Sequence, residues 1–219
     1  MASIQYIKQK QQQNNRFVVS SIEVEIKDKL TNDVSAKTVI KKMTSIVPQH
    51  LLKNIEFIKI GQFRELVDRE IQALYKDSTV YVTNRQKSES DLLDDLIHEV
   101  AHSVEEVYDG QIYADKIIKK EFLQKRKKMW TLLNAHGFEM ELENFLNTKY
   151  TKEFDMFLYQ TVGYPILSSI TSTLFFSPYA ATSLREYFAN GFEAFFMKKE
   201  ISRLKSVSPA LHKKISNLL

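Results

Sequence analysis

The chain has 219 residues, 43% of them hydrophobic, which is enough to bury the core of a single domain. It contains no cysteine, so a disulfide framework and a cysteine-based zinc site are both excluded, and any metal must be held by histidines and carboxylates. The formal net charge of +4 and the pI near 9.0 are mildly basic and do not by themselves require a nucleic-acid partner.

The beginning of the chain is polar. Residues 1–16 include a glutamine-rich run and predict an N-terminal tail, after which the domain should begin near Phe17. The N-terminus lacks the apolar core and the small-residue cleavage site of a Sec signal peptide, so we expect a cytoplasmic protein or one exported by a non-Sec route. The most apolar stretch, 162–176, is shorter than the roughly 20 residues that span a bilayer, so no transmembrane segment is predicted.

Hydrophobic spacing predicts a small sheet with helices packed on it in the first half of the chain. Apolar and charged residues alternate over 22–26, which indicates a half-buried strand, whereas apolar residues over 35–47 recur with helical spacing until Pro48. β-branched and aromatic residues indicate another strand at 79–83. In chain order, the predicted elements are a strand at 22–26, a helix at 35–47, a strand at 55–60, a helix at 63–74 and a strand at 79–83.

The next predicted helix carries the most informative motif of the chain. Ser88 can cap its start, acidic residues follow at its positive end, and Asp109-Gly110 should end it. Its apolar residues fall on one side, and His98 and His102 fall nearly opposite. The apolar side consists of Leu92, Leu93, Leu96, Ile97, Val100, Val104 and Val107.

His98-Glu99-x-x-His102 is the H-E-x-x-H pattern of zinc peptidases. On a helix the two histidines lie one turn apart, so both imidazoles can hold one Zn²⁺ at roughly 2.0–2.1 Å, with Glu99 beside the metal as a general base. A pair of histidines hydrogen-bonded in the core would give the same pattern, and so would an accidental match on an exposed helix. The zinc site is favoured, because the histidines lie outside the apolar side and a chance match to three fixed positions is rare.

The rest of the chain is predicted to be helical, apart from a loop over 161–178. The segment 116–128 is rich in lysine and arginine, which would suit nucleic acid or an anionic surface. Its apolar residues can form a buried side of the same helix, so a solvated basic face is favoured over a nucleic-acid site. A further helical pattern covers 144–159.

A catalytic zinc site requires a third protein ligand, and here a carboxylate must supply it. The helical spacing of 183–196 puts Glu186, Asn190 and Glu193 on one face and four phenylalanines on the other. An ordinary amphipathic helix with solvated acids would give the same pattern. Spacing alone therefore leaves open whether Glu186 or Glu193 completes a metal site.

Three segments resemble a known family, the gluzincin metallopeptidases of the anthrax lethal factor type and the related clostridial Pro-Pro endopeptidases. The stretch from His98 to Glu106 resembles that family's zinc helix, in which H-E-x-x-H is followed by a small residue, an aliphatic residue and an acid. The segment 186–192 (EYFANGF) is similar to the family's E-F-F-A-E-[small]-F helix, and 203–209 is similar to its C-terminal end. The family has an acid where this chain has Asn190.

The resemblance implies a zinc-dependent endopeptidase that binds Zn²⁺ through His98, His102 and Glu186. Glu99 is then the general base, and the substrate is a protein or a peptide. The interval of 84 residues from His102 to Glu186 is longer than the family leads us to expect, so the stretch over about 111–175 would be an elaboration of the substrate-facing lobe.

The register of the resemblance favours Glu186 over Glu193. Tyr179, seven residues before Glu186, matches the family tyrosine that faces the substrate carbonyl oxygen. Asn190 takes the place of an acid that partners the zinc-binding glutamate, and its amide oxygen can still accept a hydrogen bond. Glu193 would then lie further from the metal, solvated or paired with a basic residue.

We therefore expect an α+β, predominantly α, zincin-like domain over 17–219. Its N-lobe, about 17–109, should contain the small sheet, and its C-lobe, about 110–219, should be helical. The alternative from another functional class is a non-catalytic or vestigial zincin-like component of a larger assembly, with the basic 116–128 face as its working surface.

Overall fold

A computed structural model describes residues 15–198 and 201–219. The chain divides into two compact units, Met1–Val107 and Tyr108–Leu219. The fold is α+β and mainly helical, as predicted, with a small mixed sheet in the first unit. The predicted 1–16 tail lies almost entirely outside the described residues. Within the described residues, no helix is both long and apolar enough to cross a bilayer.

The first unit is built on a five-stranded sheet. Its spatial order is β1-β2-β3-β5-β4, in which β3 pairs in parallel with β2 and β5, and each edge strand pairs antiparallel with its neighbour. The strand β4 is therefore an edge strand. The strands are β1 (Arg16–Val19), β2 (Ile22–Ile26), β3 (Phe57–Ile60), β4 (Ala73–Lys76) and β5 (Thr79–Val82).

The predicted helix at 35–47 is present as α1 (Ala36–Ile46). Ser35 caps it by accepting a hydrogen bond from the Thr38 N–H, which satisfies one of the backbone donors left over at a helix start. Val39, Ile40 and Met43 are buried along one side, so the helical spacing of these residues matches the face that packs in the core.

The prediction of a helix over 63–74 is correct only for its first part. The helix α2 (Arg64–Asp68) is short, and Glu70 then has a positive φ of 55°. That left-handed residue turns the chain, which enters β4 at Ala73. Leu74 therefore belongs to a strand, and its apparent helical spacing with the residues before it is accidental.

The helix with the H-E-x-x-H motif, α3 (Glu89–Tyr113), consists of two helical stretches joined across a kink. Tyr108 departs from helical geometry with φ −110° and ψ 18°, next to Asp109-Gly110, where the sequence predicts that the helical pattern breaks. Ser88 caps its start by accepting from the Asp91 N–H at 3.1 Å. The irregularity at Tyr108 coincides with the boundary between the two units.

The second unit is helical in the described residues. The helical pattern predicted over 144–159 is divided between two short α-helices and a π-helix, Phe157–Val162. The prediction of a loop over 161–178 is wrong for its first half, which contains the helix Tyr164–Thr171. Pro165 lies in the first turn of this helix, where its missing N–H costs nothing. The α-helices are α4 (Ile117–Ala135), α5 (Leu142–Leu146), α6 (Lys152–Met156), α7 (Tyr164–Thr171), α8 (Leu184–Phe196), α9 (Ile201–Val207) and α10 (Pro209–Ser216).

The helix α8 lies in the core of the second unit and contacts α4, α9 and α10. Phe188 and Phe192 are fully buried, as the predicted apolar face requires. Gly191 faces Leu211 of α10 so closely that an added Cβ would lie 2.3 Å from the Leu211 Cδ2. The absence of a side chain at this position therefore allows α8 and α10 to pack together.

Candidate metal centre

The structure brings His98, Glu99 and His102 together on α3. Each side chain offers one potential ligand atom, and these atoms all lie within 4.8 Å of one another. The two imidazole rings have centroids 5.0 Å apart and are nearly perpendicular, at 82°. This is the arrangement expected of histidines one helical turn apart, with both rings on one side of the helix.

The centre is more enclosed than the sequence predicts. His102 and Glu99 are buried, with 7% and 6% of their surface exposed, and His98 is half-buried. The predicted apolar side is buried as well, except for Val107, which is 53% exposed. The middle of α3 is therefore enclosed nearly all round, so the position of the histidines outside the apolar side does not leave them in solvent.

Glu105 orients one of the two histidines. Its Oε2 lies 2.9 Å from the Nδ1 of His102, and both side chains are buried. A carboxylate on Nδ1 favours the tautomer that carries its proton there, which leaves Nε2 as the atom available to a metal. No role was predicted for Glu105, although its spacing of three residues after His102 on one helix is a usable signal.

Glu99 is held by the edge strand of the sheet. Its Oε2 accepts a hydrogen bond of 2.6 Å from the backbone N–H of Tyr75 in β4. Burial, aided by the Glu106 carboxylate, raises the pKa of the Tyr75 phenol to about 12, so this side chain stays neutral. Tyr75 was not anticipated as a neighbour of the site, because the sequence predicted a helix where β4 lies.

The donor atoms of this centre suit a zinc ion. Two imidazoles and carboxylates are the ligands that remain in a chain without cysteine, and they are ligands that zinc accepts in catalytic sites. Ring nitrogens that lie within 4.8 Å of each other can approach one ion with small side-chain adjustments. His102 also has the carboxylate partner that accompanies metal-bound histidines.

The other predicted site residues lie together in the second unit. Tyr179 begins a 3₁₀ turn, Tyr179–Ala181, and Glu186 lies in the first turn of α8. Ser183 caps α8 by accepting a hydrogen bond of 3.1 Å from the Glu186 N–H. Glu186 and Glu193 are both half-buried, so burial does not discriminate between them.

Asn190 connects α8 to the turn that carries Tyr179. Its Nδ2 donates to the main-chain oxygen of Glu186 at 3.0 Å, and its Oδ1 accepts from the hydroxyl of Ser177. Ser177 Oγ in turn accepts from the Ala180 N–H at 3.2 Å. A carboxylate at position 190 could not donate the first of these bonds, so an amide suits this local structure.

Tyr179 is held in part by its own turn. The Thr182 hydroxyl donates a hydrogen bond of 2.8 Å to the Tyr179 carbonyl oxygen, and the Tyr179 side chain lies at the surface, with 36% of the residue exposed. Partial burial of the phenol, followed by the negative charge of Glu186, raises the pKa of Tyr179. The phenol is therefore protonated at neutral pH and can donate a hydrogen bond.

The basic segment 116–128 does not form one solvated face. Lys119, Lys120 and Lys127 are exposed, but Lys125 is 8% exposed and Arg126 is completely buried. The prediction of a uniformly exposed basic side is therefore wrong for two of its central residues.

Comparison of the chain with protein-family models, with curated proteins and with solved structures finds no match.

Proposed function

We propose that this protein is a zinc-dependent endopeptidase of the lethal factor type, with a zincin-like fold and Zn²⁺ bound by His98, His102 and Glu186. The observation that carries the proposal is the group on α3, in which a nitrogen of each histidine and a carboxylate oxygen of Glu99 lie within 4.8 Å of one another. The His102–Glu105 contact adds support, because such outer partners accompany histidines that bind metal. The choice of Glu186 rests on the resemblance of 186–192 to the family helix.

The chemistry divides between the metal and the side chains. Zn²⁺ in such a site supplies a Lewis acid that acidifies water and polarises a carbonyl group. Glu99 is the general base: its carboxylate takes one proton from the attacking water and later delivers it to the leaving amine. The Tyr75 N–H, 2.6 Å from Oε2, holds that carboxylate in place.

In this proposal Tyr179 is a hydrogen-bond donor that stabilises the transition state. Its protonated phenol donates a hydrogen bond to the oxygen of the scissile carbonyl as negative charge develops there. A preorganised donor of this kind typically contributes roughly 3 kcal/mol to transition-state stabilisation. The substrate class in this proposal, a protein or peptide, rests on the family resemblance.

The test combines metal analysis with cleavage of a peptide library by protein purified without chelators. We expect about one zinc per chain and hydrolysis that a chelator abolishes. Glu99→Gln should keep its zinc and lose activity roughly 10²- to 10⁴-fold, because it removes a proton acceptor and no ligand. Asp109→Asn, which changes an exposed acid further along α3, is the matched control and should behave as the parent.

Two outcomes would contradict the proposal. A protein that contains no zinc and takes up none on addition does not have this metal centre. A protein that binds zinc through its histidines but cleaves no member of the library would instead favour the rival function, a zincin-like component with a structural metal.

A further inference from the structure

We propose that Arg126 is a positioning residue for the reaction: its buried guanidinium fixes the chain between Tyr179 and Glu186 and so places the Tyr179 phenol. This inference rests on the proposed peptidase function for its kinetic consequence. Its structural content, that Arg126 holds this stretch of the second unit, stands apart from any activity.

The guanidinium of Arg126 is bonded to main-chain carbonyl groups of two separate segments. Nη1 donates to the carbonyl oxygens of Ala181 and Thr182, the latter at 3.3 Å. Nη2 donates to those of Asn144 at 2.6 Å and Asn147 at 3.5 Å. One side chain of α4 therefore joins the Tyr179 turn to the end of α5.

Aromatic rings enclose the same guanidinium. Its central carbon lies 3.7 Å from the centre of the Phe154 ring, with Phe122 and Phe145 at 5.3 and 5.8 Å. Arg126 is 0% exposed, and its buried Nε has no hydrogen-bond partner among the described residues. Burying a charge and a donor in this way is costly, so the carbonyl bonds and ring stacking must compensate for it.

The bonded carbonyl groups of Ala181 and Thr182 lie between the proposed site residues. They come two and three residues after Tyr179, and the Thr182 hydroxyl also donates a hydrogen bond to the Tyr179 carbonyl oxygen. The next residue, Ser183, caps α8 at Glu186. Arg126 thus holds the short stretch that separates the proposed hydrogen-bond donor from the proposed metal ligand.

A lysine could not reproduce this geometry. The guanidinium is a planar fork that can direct two nitrogens toward two segments at once, whereas an ammonium is a single point charge on a flexible stem. Arg126→Lys therefore keeps a buried cation and most of the volume but loses the fork.

The adjacent residue supplies a matched control. Lys125 is also buried, on the same helix, but its Nζ donates to the hydroxyl groups of Tyr187 and Ser208, each at 2.7 Å. Neither of these hydrogen bonds is made to the 179–182 turn. Lys125→Met consequently perturbs a buried cation of α4 without touching the contacts of Arg126 with the turn.

The kinetic test is a double-mutant cycle on the zinc-loaded protein with a peptide from the library. We expect Arg126→Lys to lower kcat about tenfold and to change KM less than about twofold, because a transition-state contact is lost. In the Tyr179→Phe background the same substitution should have little further effect. Lys125→Met should leave kcat within about twofold of the parent.

The structural test uses amide hydrogen exchange in protein without metal, which is independent of hydrolysis. Arg126→Lys should speed exchange over 180–186 relative to the parent, and Lys125→Met should not, because only the first releases the turn. If the parent hydrolyses nothing, the peptidase proposal fails, while this measurement still decides whether Arg126 holds the turn.

Three results would overturn the inference. One is an Arg126→Lys loss in kcat that is equally large with Tyr179→Phe present. Another is unchanged exchange over 180–186. The third is failure of both Arg126→Lys and the apolar variant Arg126→Met to fold, which would make Arg126 a determinant of the fold and not a positioning residue.

Discussion

The choice between two glutamates on α8 depends on what precedes each of them. Glu186 follows the Ser183 cap and the turn that begins with Tyr179, and the Glu186 and Tyr179 side chains interact electrostatically. Glu193 lies two turns further along the same helix. If Glu186 binds the metal, one short stretch of chain presents both a ligand and a hydrogen-bond donor.

We therefore expect Glu186→Ala to lose zinc and activity together, and Glu193→Ala to keep most of its zinc. The reason is that removal of a direct ligand costs more than the roughly 10- to 100-fold typical of an outer partner. Zinc content after dialysis and the rate of peptide hydrolysis measure both effects. The reverse pattern would show that the register is wrong, and the assignment of Tyr179 would fall with it.

Glu105 gives a second prediction for a single residue. Glu105→Ala removes the partner of the His102 Nδ1 and should weaken zinc binding roughly 10- to 100-fold. Glu105→Gln should have a smaller effect, because its amide oxygen can still accept that bond. Competition with a chelator of known affinity measures the dissociation constant for zinc. Equal zinc affinity in Glu105→Ala and the parent would show that Glu105 does not contribute to zinc binding.

The sequence reveals those site residues whose partners are local. His98, Glu99 and His102 are recognisable because one helical turn fixes their geometry, and Glu105 could have been added by the same rule. Tyr75 and Arg126 could not, since their partners are distant in sequence: 24 residues separate Tyr75 from Glu99, and 55 separate Arg126 from Ala181. Contacts of this kind depend on the folded topology and leave no periodic signal.

At the scale of elements, the sequence predicts the interior strands and misses the edge strands. The missed strands β1 and β4 belong to hairpins with turns Ser20-Ser21 and Asp77-Ser78, in which all four residues have positive φ. Such turns usually contain Asn-Gly or Asp-Gly, which reach positive φ at lower cost. The hairpins therefore lack their usual sequence signal, and strands of four residues give little alternation to detect.

Two glycines on helices of the second unit provide a matched prediction. Gly191→Ala should destabilise this unit by about 1–3 kcal/mol, because its Cβ would lie 2.3 Å from the Leu211 Cδ2 and 2.8 Å from its Cγ. Gly110→Ala, at a helical position where no described atom would lie within 4 Å of the new Cβ, should stabilise by up to about 1 kcal/mol. Urea unfolding of both variants measures the difference, and equal shifts in one direction would contradict the tight packing of α8 on α10.

At the scale of the whole molecule, composition and periodicity are sufficient to predict the α+β class and the helices that follow α3. They do not predict how the second unit is held together. Glu121 of α4 accepts from the Tyr187 hydroxyl and from the Ala210 N–H at the start of α10, at 2.7 and 2.8 Å. Lys125 adds bonds to Tyr187 and Ser208, so a polar network joins α4, α8 and α10 inside an apolar core.

This network should make the stability of the second unit depend on pH. Burial lowers the pKa of Lys125 from its ordinary value of 10.5 to about 8, although Glu121 opposes the shift. The folded state therefore loses this proton at lower pH than the unfolded state. Below pH 8 the cost of burying the charge is fully present, and it is relieved as pH rises between these two pKa values.

We expect the free energy of unfolding to rise by on the order of 1 to 2 kcal/mol between about pH 7.5 and 9.5, because the unfolded chain binds more protons in that interval. Lys125→Met should remove this rise, whereas Lys120→Met, which changes an exposed lysine of the same helix, should retain it. We end the pH interval there because burial raises the pKa of the Tyr187 phenol. Above the ordinary tyrosine pKa the unfolded chain loses this proton first, so the free energy of unfolding then falls. Urea titrations at several pH values test the prediction, and identical slopes for the parent and Lys125→Met would show that Lys125 is not the group responsible.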